Sequence, residues 1–130
     1  MALEPGARLG VYVVGDLLAA GGMGEVYRGR DERLGRDVAI KIIAEGLASE
    51  EKELARFERE TRILASLSHP NILNIFDVGE HEGTQYAVME LLRGENLRER
   101  MAKRALPWRT ATAIAVAVAR GLAAAHSAGI

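Results

Sequence analysis

A glycine cluster and a lysine that follows it are the residues of this chain most suited to holding a phosphate group. The cluster Gly21-Gly22-Met23-Gly24-Glu25-Val26 precedes the apolar run Val38-Ala39-Ile40-Lys41. Glycines accept positive φ and leave no side chain between backbone amides and an anion, and a lysine supplies the countercharge. Each half alone is a weak indication, because glycines occur in many turns and most strand lysines are solvated. Together they predict a phosphate cover and a lysine that grips the phosphates.

Glu60 supports this interpretation. At about 100° per residue, a helix over residues 50–67 would carry Glu60 in the middle of an apolar face. That face is formed by Leu54, Phe57, Ile63, Leu64 and Leu67. An unpaired buried charge is costly, and Lys41 is the one cation of the apolar strand 38–43. The pattern therefore predicts a Lys41–Glu60 ion pair, and the alternative is a partly exposed glutamate at the rim of the apolar stripe.

A glycine loop, a strand lysine and a helix glutamate together resemble the signature of the protein kinases. The residues within and around these motifs are similar to those of the bacterial eukaryotic-like (Hanks-type) serine/threonine protein kinases, and the resemblance covers residues 9–130. The stretches that carry it are Gly22-Met23-Gly24-Glu25-Val26-Tyr27, Asp37-Val38-Ala39-Ile40-Lys41, Arg56-Phe57-Glu58-Arg59-Glu60, His69-Pro70-Asn71-Ile72, Val88-Met89-Glu90 and His126-Ser127-Ala128-Gly129-Ile130.

The resemblance implies an α+β fold. A kinase small lobe, with a five-stranded antiparallel sheet and one regulatory helix, would be followed by the first helices of a large lobe. The corresponding divisions are an N-terminal tail 1–8, an ATP-binding lobe 9–90, a hinge 91–95 and the start of the large lobe 96–130. Neither His-Arg-Asp nor Asp-Phe-Gly occurs in the sequence. The resemblance thus implies a large lobe truncated before the catalytic loop, and a fragment that is inactive alone.

Hydrophobic periodicity predicts where these elements lie. Alternating patterns predict strands near residues 9–13, 25–29, 36–43, 72–78 and 85–89, and helical patterns predict helices over 49–67, 96–104 and 107–127. The first helix is expected to end at Ser68-His69-Pro70, because a residue before proline is pushed out of the helical region. Trp108, directly after Pro107, is expected to anchor the last helix to the small lobe.

The family pattern also implies roles for individual residues. Lys41 would be catalytic by holding the α- and β-phosphates, with Glu60 as its supporting ion pair, while the catalytic aspartate is not in the chain. The residues implied to bind ATP are Leu18, Ala19, Ala20, Gly21, Gly22, Met23, Gly24, Glu25, Val26, Ala39, Lys41, Leu73, Met89, Glu90 and Leu92. Ordinary core packing is the alternative for Val26 and Leu73. ATP and Mg²⁺ are the implied cofactors, and no metal ligand is expected among these residues.

One position departs from the family pattern. Ala19 stands where the first loop glycine is expected. If that position lies in a strand, alanine accepts the extended backbone at little cost, whereas a positive φ there would weaken nucleotide binding.

Composition excludes several classes of function. The net charge of -1 gives no basic field, so nucleic acid is not an expected partner. The absence of cysteine excludes disulfides and thiolate metal sites, and the spacing of the three histidines does not fit zinc. The start of the chain does not read as a signal peptide, and the longest apolar run, 111–119, is too short for a membrane segment. A cytoplasmic location is expected, with room for a membrane anchor elsewhere in the full-length protein.

The leading functional hypothesis is the ATP-binding portion of a serine/threonine protein kinase, with ATP, a protein substrate and a second kinase copy as the expected partners. The alternative is a truncated or inactive kinase-like module that binds nucleotide or partners without catalysis. A small-molecule phosphotransferase is a third class, which the Met23-Gly24-Glu25-Val26-Tyr27 and His69-Pro70-Asn71-Ile72 stretches disfavour.

Overall fold

The computed structural model describes residues 3–21, 24–43 and 51–130, apart from the side chains of residues 51–54, 56, 57 and 60. The strands in this part of the chain are β1 (Arg8–Leu9), β2 (Tyr12–Gly21), β3 (Gly24–Asp31), β4 (Arg36–Ile43), β5 (Ile75–His81) and β6 (Thr84–Glu90). The helices are α1 (Glu51–Ser66), α2 (Leu97–Lys103) and α3 (Trp108–Ser127).

The strands form one antiparallel sheet in the order β1-β2-β3-β4-β6-β5. All five predicted strands are present, but the count of five is corrected to six in the described part of the chain. The additional strand, β1, has two residues and pairs Arg8 with Val13 and Leu9 with Tyr12. Two residues carry too little alternation to register as a strand in the sequence, and β1 forms because the chain reverses onto β2.

The hydrophobic core lies on one face of the sheet. Alternate residues of the central strands supply it, because successive side chains of a strand point to opposite faces. Tyr27, Ile40 and Val88 are at most 2% exposed and lie in neighbouring strands. The other members of this cluster are Leu9, Tyr12, Val14, Val38, Ile42 and Tyr86, and Leu3 and Ala7 pack against it. We call this side of the sheet the outer face and the side that carries Lys41 the inner face.

Helix α1 packs against β5 and ends at Ser66, close to the predicted stop. A turn follows in which the Ile72 amide donates to the His69 carbonyl at 3.1 Å and the Asn71 amide donates to His69 Nδ1 at 3.1 Å. Because of this turn, β5 begins at Ile75 and not at residue 72, where the apolar pattern predicted its start. The sequence pattern could not distinguish the two, because apolar residues in the turn continue the alternation of the strand.

The two C-terminal helices have different N-termini. Asn96 caps α2 in a capping box, with the Glu99 amide donating to Asn96 Oδ1 and the Asn96 amide donating to Glu99 Oε2. Helix α3 begins after Pro107, and Trp108 is 72% exposed. The expectation that Trp108 anchors α3 to the small lobe is therefore wrong, because most of the Trp108 side chain faces solvent. The Arg109 guanidinium lies over its ring, 5.0 Å from the centroid. None of the helices in the described part has the length and apolar character that a membrane crossing requires.

Candidate functional site

Lys41 lies in a row of residues that crosses the inner face. The register pairs Ala19 with Val26, Val26 with Lys41, and Lys41 with Ala87. Directly paired residues in antiparallel strands have side chains on the same face, so Val26 and Lys41 share the inner face. Val26 is not part of the core cluster, which lies on the outer face. This position disfavours ordinary core packing as the role of Val26.

A second row on the inner face provides a small apolar surface. Ala39 pairs with Met89, and Met89 pairs with Ile75. Ala39 is two residues from Lys41 in β4, so both side chains point to the inner face. Alanine adds little volume to this row, and Ala39 is buried. The two rows thus bring Val26, Ala39, Lys41 and Met89 to one side of the sheet.

The glycine cluster forms the hairpin between β2 and β3. Ala20 pairs with Glu25, and Gly21 pairs with Gly24, while Gly22 and Met23 lie outside the described residues. Gly24 has φ of 121°, a conformation that residues with a Cβ rarely adopt, so this position requires glycine. Gly21 has open space where a Cβ would lie. The row that contains Lys41 therefore lies next to the paired glycines Gly21 and Gly24 at the ends of β2 and β3.

Ala19 lies in β2, opposite Val26, and has no positive φ. The departure from the glycine pattern therefore falls on an extended position that accepts alanine without strain. Leu18 is 49% exposed and lies at the second of two register shifts between β2 and β3. Such irregularities change the direction of a side chain along a strand.

The segment after β6 holds the remaining predicted residues. The Glu90 amide donates to the Asn74 carbonyl at 2.9 Å, and Asn74 Nδ2 donates to Glu90 Oε2 at 3.1 Å. These bonds fix the start of the segment 91–96, which connects the sheet to α2. Leu92 is 68% exposed, and Leu73, next to Asn74, is half-buried. Asn74 was not among the predicted residues, because no local pattern links it to Glu90.

The side chain of Glu60 lies outside the described residues. The backbone of α1 includes this position, so the helical part of the prediction is described, whereas the ion pair with Lys41 stays a prediction. Within the described part, no group of three or more His, Cys, Asp or Glu side chains is arranged to hold a metal ion.

A charged cluster lies on β3 and β4, away from the glycine hairpin. Asp37 accepts hydrogen bonds from Arg28 at 2.8 Å and from Arg30 at 2.9 Å. These two bonds, that from Arg28 first, hold the pKa of the Asp37 carboxyl below its ordinary value. Two guanidinium groups and one carboxylate leave this cluster with a net charge of +1. Because Arg28 pairs with Ala39, the cluster lies on the inner face, at the end of β3 and β4 away from the hairpin.

Residues 12–130 match the sequence profile of the protein kinase domain. The chain belongs to the protein kinase family. It is 37% identical over 120 residues to a probable serine/threonine-protein kinase of Clostridium perfringens, covering 92% of this chain and 18% of that protein. It is 39% identical over 120 residues to the serine/threonine-protein kinase PknL of Mycobacterium tuberculosis, covering 92% of this chain and 30% of PknL.

The structure resembles the kinase domain of Mycobacterium tuberculosis PknI, in a double mutant, with a TM-score of 0.92 and 35% identity. That match covers 100% of this chain and 53% of the PknI chain. The predicted kinase-like fold, a small lobe followed by helices of the large lobe, is therefore confirmed. The chain spans about half of that kinase domain and 18% to 30% of these two curated relatives.

Proposed function

We propose that this chain is the ATP-binding portion of a serine/threonine protein kinase, which transfers the γ-phosphate of ATP to hydroxyl groups of a protein substrate. The observation that carries the proposal is the juxtaposition of Lys41 with Val26 and Ala39 on the inner face, next to the Gly21–Gly24 turn. An ammonium group, a small apolar surface and a glycine-rich turn suit the charge and shape of a nucleoside triphosphate.

Each part of the inner face has a distinct role in this proposal. The base of the nucleotide lies against Val26 and Ala39, with Met89 behind it and the Glu90 carbonyl and Leu92 amide at its polar edge. Leu18 and Leu73 add apolar contacts, and amides of the turn 19–25 cover the β- and γ-phosphates. Lys41 holds the α- and β-phosphates by charge. Mg²⁺, when bound, neutralises charge on the phosphates.

Glu60 is proposed to orient Lys41. Because α1 packs against β5 at the edge of the sheet, a shift of the helix would make or break a Lys41–Glu60 ion pair. Glu60→Ala in the full-length protein should lower turnover about 10- to 100-fold, because a misplaced lysine no longer aligns the phosphates. Normal turnover of this variant would reject the role of Glu60.

The remaining parts of the proposal concern the protein as a whole. We propose a protein substrate with a serine or threonine acceptor, a second copy of the kinase as a further partner, and a cytoplasmic kinase domain. Support for serine or threonine over tyrosine comes from the names of the relatives.

The test is γ-phosphate transfer by the full-length protein with Mg·ATP and a generic protein substrate such as myelin basic protein. Lys41→Met should lower the rate about 100-fold or more, because one of the charges that stabilise the transferring phosphates is lost. Lys103→Met is the matched control, since this substitution makes the same chemical change at an exposed residue of α2. The control should keep the rate of the wild type.

Two results would contradict the proposal. Equal transfer by wild type and Lys41→Met would exclude Lys41 from the reaction. Nucleotide binding without any transfer by the full-length wild type would replace the kinase assignment with that of a nucleotide-binding module.

A further inference from the structure

The first described residues of the chain lie on the outer face of the sheet, over the strands that carry the glycine hairpin. We call residues 3–7 the N-terminal strap. The Gly6 amide donates to the Val14 carbonyl at 2.7 Å, and the Val14 amide donates to the Ala7 carbonyl at 2.8 Å. Leu3 and Ala7 also pack against the core cluster. The strap is thus fastened to β2 by backbone hydrogen bonds and to the core by apolar contacts.

The hydroxyl of Tyr27 joins the strap to the base of the glycine hairpin. It accepts a hydrogen bond from the Leu3 amide at 3.0 Å and donates one to Glu25 Oε2 at 2.5 Å. Tyr27 is 2% exposed, so this hydroxyl has little access to water and depends on these two partners.

The position of Glu25 makes this connection relevant to the nucleotide. Glu25 directly follows Gly24, whose backbone has positive φ, and it pairs with Ala20 across the hairpin. Glu25 and Tyr27 are two residues apart in β3, so both side chains lie on the outer face, whereas Val26 lies on the inner face. The strap therefore cannot touch a nucleotide, but it can fix the backbone that does.

We propose that the N-terminal strap, through the Tyr27 hydroxyl and Glu25, positions the glycine-rich hairpin for nucleotide binding. Tyr27 is a positioning residue on the face away from the site. When the strap is docked, the carboxylate of Glu25 is held against the sheet and the base of the hairpin is ordered. A change that lifts the strap would release Glu25 and weaken nucleotide binding. The consequence for the nucleotide rests on the proposed function, whereas the ordering of the hairpin does not.

The decisive comparison is between two tyrosine variants of the full-length protein. Tyr27→Phe keeps the buried ring and removes both hydrogen bonds of the connection. Tyr12→Phe is the matched control, because it also removes a hydroxyl of a buried tyrosine, whose partner is Asp77 at 2.7 Å and not the hairpin. Hydrogen–deuterium exchange of amides in residues 17–27 and the Kd for Mg·ATP from calorimetry are measured for both.

We expect Tyr27→Phe to speed exchange in the hairpin at least about threefold and to raise the Kd for Mg·ATP about threefold to tenfold. Tyr12→Phe should leave both quantities at their wild-type values even if it lowers overall stability. A purely structural role of Tyr27 would make the two variants alike. Equal hairpin exchange in the two variants, or no rise in Tyr27→Phe, would overturn the proposal.

A second pair of variants tests the strap itself and replaces the first if Tyr27→Phe does not fold. Leu3→Pro removes the amide that donates to Tyr27, whereas Leu3→Ala shortens the side chain and keeps the amide. Leu3→Pro should speed hairpin exchange more than Leu3→Ala, and equal exchange would reject the connection. If the wild type does not bind Mg·ATP, the proposed function fails, and the exchange comparison still decides the role of the strap.

Discussion

Gly121 of α3 lies against the backbone of Asn71, in the turn that follows α1. A Cβ at position 121 would be 2.8 Å from the Asn71 carbonyl oxygen and 3.5 Å from its carbonyl carbon. Gly121 is also the one buried residue of α3 in the described part of the chain. The absence of a side chain at one position thus allows a helix of the large lobe to approach the small lobe closely.

We predict that Gly121→Ala destabilises the protein by about 1 to 3 kcal/mol, because the added methyl group would overlap a backbone oxygen that cannot move alone. The direction of the change in stability is informative, since alanine in place of glycine in an exposed helix stabilises the helix by about 1 kcal/mol. Urea unfolding followed by circular dichroism measures the change. A gain in stability would show that the turn at Asn71 moves away from α3 without cost.

Ala19→Gly should not improve nucleotide binding. Ala19 has an extended backbone opposite Val26, so glycine would relieve no strain and would add freedom to the unfolded chain. We expect the Kd for Mg·ATP to change by less than about twofold. Tightening by about tenfold or more would mean that this residue adopts positive φ when the nucleotide is bound.

The three tyrosines predict a loss of stability at high pH. Burial, as the first cause in each case, raises the pKa of Tyr12, Tyr27 and Tyr86 above the ordinary value of 10.0. The folded state therefore holds these protons more tightly than the unfolded state. Their contribution to the free energy of unfolding is fully present below pH 10 and falls as the pH rises through the higher folded-state pKa values.

Urea unfolding at a series of pH values from about 8 to 11 measures this loss. In Tyr12→Phe the decline above about pH 10 should be shallower, because one of the titrating groups is gone. The same variant should be about 1 kcal/mol less stable at neutral pH, because Asp77 loses a hydrogen bond. An identical decline in both proteins would show that Tyr12 does not titrate differently on folding.

The hairpin between β3 and β4 predicts an order of stability among variants of Asp31. This carboxyl is fully buried, and its Oδ1 accepts a hydrogen bond from the Leu34 amide at 3.0 Å. Its Oδ2 is 3.8 Å from Arg36 Nε, and neither atom has a hydrogen-bond partner, so this contact is electrostatic. The guanidinium of Arg36 lies 3.8 Å from the centroid of the Phe76 ring.

Asp31→Asn should therefore be much milder than Asp31→Ala. Asparagine keeps the oxygen that accepts from Leu34, whereas alanine removes this acceptor and with it a hydrogen bond worth about 0.5 to 1.5 kcal/mol. Thermal unfolding of the two variants provides the comparison. If both lose equal stability, the charge beside Arg36 matters more than the turn.

An apolar groove on α2 and α3 predicts self-association of this chain when it is expressed alone as residues 1–130. The groove has a volume of about 430 Å³ and is lined by Leu97, Met101, Leu106, Ala111, Ile114, Ala115, Val118, Ala119 and Leu122. Met101, Val118 and Leu122 are more than half exposed. Exposed apolar patches of this kind promote association.

Light scattering after size-exclusion chromatography tests this. The double variant Val118→Lys and Leu122→Lys should shift the chain toward monomer. The matched control, Thr110→Lys and Ala113→Lys, adds the same charge to exposed positions of α3 outside the groove and should not. A monodisperse wild-type monomer would contradict the prediction.

Local patterns predicted the strands and helices of this fold well, because strand alternation and helix periodicity are properties of short stretches. They also placed Lys41 and Ala39 in one strand. Which face of that strand belongs to the core cluster could not be predicted from alternation alone, because Val38 and Ala39 are both apolar and both buried. The register with β3 and β6 decides it, since it places Val38 with the core and Ala39 beside Met89.

Relationships between distant segments were not predictable from the sequence. The bonds between Tyr27 and Leu3 and between Asn74 and Glu90 join residues far apart in the chain, and no spacing rule connects them. The exposed position of Trp108 has the same origin. A tryptophan side chain is large and mostly apolar, which favours burial. The contact of α3 with the small lobe, however, lies at Gly121 and Asn71, more than two helical turns from Trp108.

The strand order has a consequence for synthesis of the chain on the ribosome. Strands β1 to β4 pair with their neighbours in sequence, so this half of the sheet can assemble from local contacts as it emerges. β6, however, lies between β4 and β5 and is made after both. Until residues 84–90 leave the exit tunnel, the nascent chain presents β4, with Val38, Ile40 and Ile42, as an unpaired apolar edge, which is the kind of segment that chaperones shield.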